Sequence, residues 1–166
     1  MAILLEVLLW LHVVAAVGWV GAAMVFGMII GPALPTLTPS TRGEFIVKVI
    51  PKYTRYAQIF AIATPLIGVA LALAMSGGSL SVFAPTTQFG LFISAGAALA
   101  LVVWVVFFGV VTPAANKVVR LTEGMMKSPG PPSTELLGAN KRLRGGAAVG
   151  LVLLMAILVC MVAASI

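Results

Sequence analysis

Charge is scarce in this chain. Lys, Arg, Asp and Glu make up only 8% of its 166 residues, against 61% hydrophobic. A soluble domain usually carries about 25% charged and 45–50% apolar residues. No water-facing surface can be built from such a composition, so the solvent must be lipid. Cysteine and histidine are rarer still, with one of each, Cys160 and His12. A lone cysteine excludes an intramolecular disulfide and any multi-cysteine metal site, and Cys160 reads as lipid-facing. Also missing are a Walker loop, a Rossmann fingerprint, a catalytic triad and a carboxylate pair. A net charge of +6 would suggest nucleic acid in a soluble protein. That partner is excluded here, because the basic residues fall in the short loops of a membrane protein.

What is present is length of apolar run. A helix crosses the hydrocarbon core in about 20 residues, and four runs qualify: 3–30, 53–75, 88–112 and 145–166. Breakers bound them at Gly31-Pro32 and Pro35, Ser76-Gly77-Gly78, Pro113, and Gly145-Gly146. Backbone groups in lipid must be satisfied within the segment, and runs of this length do so as helices, not as ten-residue barrel strands. The first run opens without a basic segment and is too long for a signal-peptide core, so it is expected to stay. The predicted fold is a single all-α domain over 1–166, an integral membrane four-helix bundle running up-down-up-down.

All ten Lys and Arg fall between spans one and two (31–52, with Arg55 just beyond) or between three and four (113–144). The 76–87 loop has no charge. The positive-inside rule places both basic loops in the cytoplasm, both termini on the outer side, and the chain in the cell membrane as a multi-pass protein. Lipid headgroups are the expected contact of these basic residues. Within the first loop, Thr38-Pro39 and the Thr41/Glu44 spacing predict a capped surface helix over 39–50. In the second, 116–127 prolongs helix three, 128–132 breaks it, and Ser133 caps the lead-in to helix four.

Chemistry has few places to reside. Glu6 lies near the outer end of span one, where water reaches it, but His12 is deeper. An ionisable group inside a membrane is costly and points to function; the plain alternative is a neutral imidazole hydrogen-bonded to a neighbouring helix. Helical spacing puts Ala15, Ala16, Trp19, Ala23 and Gly27 on the face of His12. Small residues there admit a neighbouring helix or a flat cofactor, and packing through Ala16, Ala23 and Gly27 is expected. Counting equal depths inward reaches Ile67-Gly68 on helix two, Gly96-Ala97 on helix three and Met155-Ala156 on helix four. One histidine, one methionine and small residues in one layer suit a porphyrin, since histidine and methionine both serve as axial ligands of haem iron. Met24 and Met28, one turn apart, are an alternative Cu(I) pair, or ordinary packing methionines. Thr64-Pro65 predicts a kink in helix two, with the threonine replacing a lost backbone bond.

Leu11-His12 followed by Trp19-Val20-Gly21 resembles the LH…W-x-G opening of CopD-type copper-resistance membrane domains, which HemJ-type protoporphyrinogen oxidases share. Arg55-Tyr56-Ala57 running to Thr64-Pro65-Leu66-Ile67-Gly68 resembles the R-x-A…T-G stretch of the CopD type. Pro113 and Lys141-Arg142-Leu143-Arg144 fit the same layout, so the likeness covers most of the chain. It implies a four-helix bundle whose first-helix histidine, His12 with Trp19 beside it, ligates haem or a metal. HemJ-type enzymes carry basic residues at the site, whereas no Lys or Arg of this chain lies near the depth of His12, which sets haem binding ahead of oxidase chemistry. The expected protein is therefore a b-type haem protein of one-electron transfer, with His12, Trp19, Gly68, Gly96 and Met155 at the site and a quinone or another redox partner. Copper handling through His12, Met24 and Met28 is the alternative, and an accessory subunit of a larger membrane complex the third reading. A two-histidine site would require a homo-oligomer.

Overall fold

The computed structural model describes residues 2–128 and 130–165. Pro129 of the predicted 128–132 break, Ile166 of the fourth span and Met1 lie outside them. Among the described residues the chain is all-α, with four helices long and apolar enough to cross a membrane: α1 Ala2–Thr36, α2 Pro39–Met75, α3 Gln88–Lys127 and α4 Thr134–Ser165. No more than 17% of the most apolar 18-residue stretch of any of them is buried. Ile3, Trp10, Leu66, Leu101 and Val152 are among the large side chains left 65–77% exposed. An apolar exterior of this extent is what lipid selects and water rejects, and the protein is a multi-pass membrane protein.

The helices run further than the breakers predicted. Helix α1 continues past Gly31-Pro32 because its turns widen first: Val25–Ile30 is π-helical, and the Gly31 N–H reaches back to the Phe26 carbonyl. The same device recurs in α3, where Phe107–Val111 is π-helical and the Thr112 N–H reaches Phe107, one residue before Pro113. A proline lacks an N–H and its ring collides with the carbonyl four residues back. A wide turn just before it relieves that collision and keeps the helix going.

The predicted surface helix over 39–50 is the first third of α2, which does not stop at Pro51. Ile50, Thr54 and Ala57 form a buried line at spacings of four and three, so packing across the proline offsets its lost bond. The N-cap is Thr38, whose Oγ1 accepts from the Thr41 N–H at 3.4 Å, with Pro39 next. Glu44 plays no part in that cap and instead pairs with Lys48 at 2.9 Å. At the other end Gly77 (φ +65°) and Gly78 (φ +93°) take a left-handed path. The Gly78 N–H meets the Leu73 carbonyl at 2.8 Å, closing α2 in a Schellman turn. Ser133 caps α4 as predicted, its Oγ accepting from the Leu136 N–H at 3.2 Å.

The chain forms two compact units. The first holds the chain up to Gly21, Ile59–Trp104 and the chain from Val152. Its buried hydrophobic residues are Ala15, Trp19, Ala61, Ala72, Val103 and Leu154. Gly18 of α1 meets Phe60 of α2 so closely that a Cβ there would stand 2.6 Å from the ring. Gly18→Leu is therefore expected to lower the melting temperature in detergent, at a cost of about 1–3 kcal/mol or more. An unshifted midpoint would mean that Phe60 does not pack on Gly18.

The second unit comprises Ala22–Gln58 and Val105–Leu151. Its core joins Ile50 to Ala114, Ala115 and Val118 of α3 and Leu136, Ala139 and Leu143 of α4. Phe26 stacks on Tyr53 with ring centroids 5.0 Å apart, and the Tyr53 hydroxyl donates to the Ala22 carbonyl at 2.7 Å. Lys117 and Glu135 pair at 2.7 Å between α3 and α4.

Candidate functional site

His12 projects from α1 onto one turn of α2, inside the first unit. Its Nδ1 stands 3.0 Å from the Thr64 carbonyl oxygen. A carbonyl oxygen can only accept, so Nδ1 carries the proton and donates. In a neutral imidazole the other nitrogen, Nε2, is then the one with a free lone pair. Donation from one ring nitrogen to a backbone carbonyl, with the other left to a metal, is the usual arrangement of metal-ligating histidines.

Gly68 makes the arrangement sterically feasible. A Cβ at this position would stand 2.8 Å from His12 Cε1 and 3.2 Å from Nδ1. The imidazole thus occupies the space over the α2 backbone that any side chain would claim. Thr64 and Gly68 are four residues apart, one turn, so the carbonyl that accepts and the gap that receives lie on the same face. Between them sits Pro65, which has no N–H for the Ala61 carbonyl. The predicted rescue by Thr64 takes a different form, since its hydroxyl donates to the Phe60 carbonyl at 2.8 Å, not to Ala61.

Trp19, two turns along α1 from His12, is buried with 4% exposure. The buried line of α1 runs through Ala15, Trp19 and Ala22. Of the predicted packing face, Ala16 and Ala23 are half-buried, and Gly27, though exposed, lies against α4, where a Cβ would stand 3.3 Å from Leu151 Cδ2; the most buried line lies slightly to one side of that face. Trp19 explains this, because burying an indole outweighs burying a methyl. Gly96 is buried on α3, where a Cβ would lie 3.6 Å from the Cys160 Cβ. Cys160 is itself half-buried, short of the fully lipid-facing position expected. Met155 is 44% exposed on α4. Met24 and Met28 belong to the second unit and are 37% and 64% exposed. Among the described residues no group of three or more His, Cys, Asp and Glu could hold a metal ion.

Sequence reasoning placed Gly68 at the depth of His12, and the two are in contact. It missed the Thr64 carbonyl, a backbone group that no side-chain pattern announces. The available signal was the spacing of Thr64, Pro65 and Gly68 within one turn. No protein-family model, no curated protein and no solved structure matches this chain.

Proposed function

We propose that this is a b-type haem protein of the cell membrane, in which His12 Nε2 is an axial ligand and the role is one-electron transfer. The observation that carries the reading is the hydrogen bond from Nδ1 to the Thr64 carbonyl, which leaves Nε2 as the free donor atom of the chain's single histidine. The donor chemistry fits haem iron, for which a neutral imidazole is a standard ligand. A haem bound there would supply a one-electron couple. The chain's own residues orient the imidazole through Thr64 and Gly68 and bury Trp19 on the same helix.

Every Lys and Arg lies in the second unit, so the first unit offers no Lys or Arg to a propionate. Those carboxylates would have to meet water, and protoporphyrinogen oxidation, which the resemblance associates with basic residues at the site, is not part of this reading. Met155 is the candidate intrachain second ligand, and a second copy's imidazole is the other source. Quinone, soluble in the bilayer, is the electron partner that fits this location. The test is the optical spectrum of full-length protein produced with ample haem. A Soret band at about one haem per chain, or one per two chains, supports the proposal, and a colourless protein overturns it.

The charge distribution supports both basic segments lying in the cytoplasm. With Cys160→Ser as background, single cysteines at Ser79 and Ser128, both exposed, are expected to label from opposite sides. An impermeant maleimide applied to intact cells should modify the Ser79→Cys chain and spare Ser128→Cys. The opposite pattern would invert the orientation and place His12 nearer the cytoplasmic face.

A further inference from the structure

The second unit contains a cavity of about 400 Å³ and nearly all of the chain's charge. Ten Lys and Arg against Glu44, Glu123 and Glu135 give it a formal charge of 10 − 3 = +7. Each of those three glutamates is already paired with a lysine: Lys48, Lys127 and Lys117 respectively. Among the described residues no glutamate pairs with Arg42 or Arg144, and these two arginines line the cavity together with Asn140. No acidic residue is among its lining residues, and the rest of the wall is mostly apolar, with Phe26, Ile46 and Leu136 contributing. Pro35, Pro39 and Pro132 also contribute to the wall. Their fixed φ angles mean that little backbone freedom remains to be lost on binding.

We propose that this cavity seats one anionic phospholipid of the bilayer, its phosphate met by Arg42 and Arg144 and an acyl chain lying along the apolar wall. Guanidinium groups suit phosphate because their fork of donors matches its oxygens. Unpaired arginines with no acid beside them select an anion, and the apolar wall selects an amphiphile over a free ion. A volume of this size lies in the range of ordinary ligand sites. All of its lining residues belong to the second unit, whereas His12 belongs to the first, and the proposal does not depend on haem.

The test is native mass spectrometry and lipid-dependent thermal stability of the full-length protein, with dioleoylphosphatidylglycerol, dioleoylphosphatidylcholine and inorganic phosphate as probes. Wild type is expected to retain one phosphatidylglycerol in preference to phosphatidylcholine and to gain no stability from phosphate alone. Arg42→Gln with Arg144→Gln should weaken phosphatidylglycerol retention about thirtyfold. Lys52→Gln with Lys141→Gln removes two exposed cations outside the cavity and should leave retention unchanged. Equal losses in the two double variants would overturn the proposal in favour of diffuse attraction to the headgroup layer. Stabilisation by phosphate alone would overturn it in favour of a free-anion site. Should the arginine variant not fold, Leu137→Trp decides. Leu137 lines the cavity and is 57% exposed, so the larger ring fills the space with every charge kept. Loss of the phosphatidylglycerol preference in that variant supports the seat, and its retention overturns it.

Discussion

His12→Ala is expected to abolish the Soret band while leaving the helical circular dichroism intact. The chain has no other histidine, so a haem held by imidazole has no alternative anchor. The cost to folding is small by comparison. The substitution deletes one hydrogen bond, to the Thr64 carbonyl, worth about 0.5–1.5 kcal/mol. His12→Gly supplied with free imidazole should regain the band, because the exogenous base enters the space the side chain vacated. A structural role alone would not produce that rescue. Met155→Leu then identifies the other axial position. With methionine as the partner the potential falls, since a Met/His pair raises it. With a second chain's histidine, colour is lost on dilution to monomer. If the wild type binds Cu(I) in place of haem and loses it on Met24→Leu or Met28→Leu, the copper reading replaces this one. A protein that binds neither is an accessory subunit in which His12 only packs.

The four spans were legible because composition and length decide them: residues of one solvent preference run for 20 or more positions, and no tertiary context is needed to read that. The ends of the helices were less so. Pro32 and Pro113 read as stops, and the surface helix was expected to end at residue 50, just before Pro51, yet all three prolines lie within helices. The structure absorbs two of them with π-turns and the third with a buried line through Ile50, Thr54 and Ala57. The buried line depends on neighbours distant in sequence. Thr38 and Ser133 were read correctly as caps, since capping is local chemistry between residues three apart. At the site, the depth count brought Gly68 to His12, because two helices of known pitch keep their register. The direction in which Met155 points was beyond such counting. Depth fixes a layer, whereas facing is fixed by rotation about the helix axis, and in an apolar stretch such as α4 beyond Gly146 the sequence carries almost no signal of that rotation.

Gly68→Leu is expected to remove haem as completely as His12→Ala, although residue 68 makes no bond to it. Its β-carbon would stand 2.8 Å from His12 Cε1 and 3.2 Å from Nδ1, well inside van der Waals contact, so the imidazole must swing away. Swinging breaks the 3.0 Å bond to Thr64, and both the tautomer and the aim of Nε2 lose their support. Even Gly68→Ala should lower occupancy and shift the potential, while Gly68→Leu should also destabilise the fold by about 1–3 kcal/mol. A cycle with His12→Ala separates the causes without relying on haem. If the imidazole is what the new side chain strikes, Gly68→Leu costs less in the His12→Ala background than in wild type, because the alanine leaves the space open. Additive losses would mean that the ring does not lie over Gly68. A full Soret band in Gly68→Leu would mean that His12 binds haem without the notch, and the route from Thr64 to Nε2 would no longer explain why this histidine is a ligand.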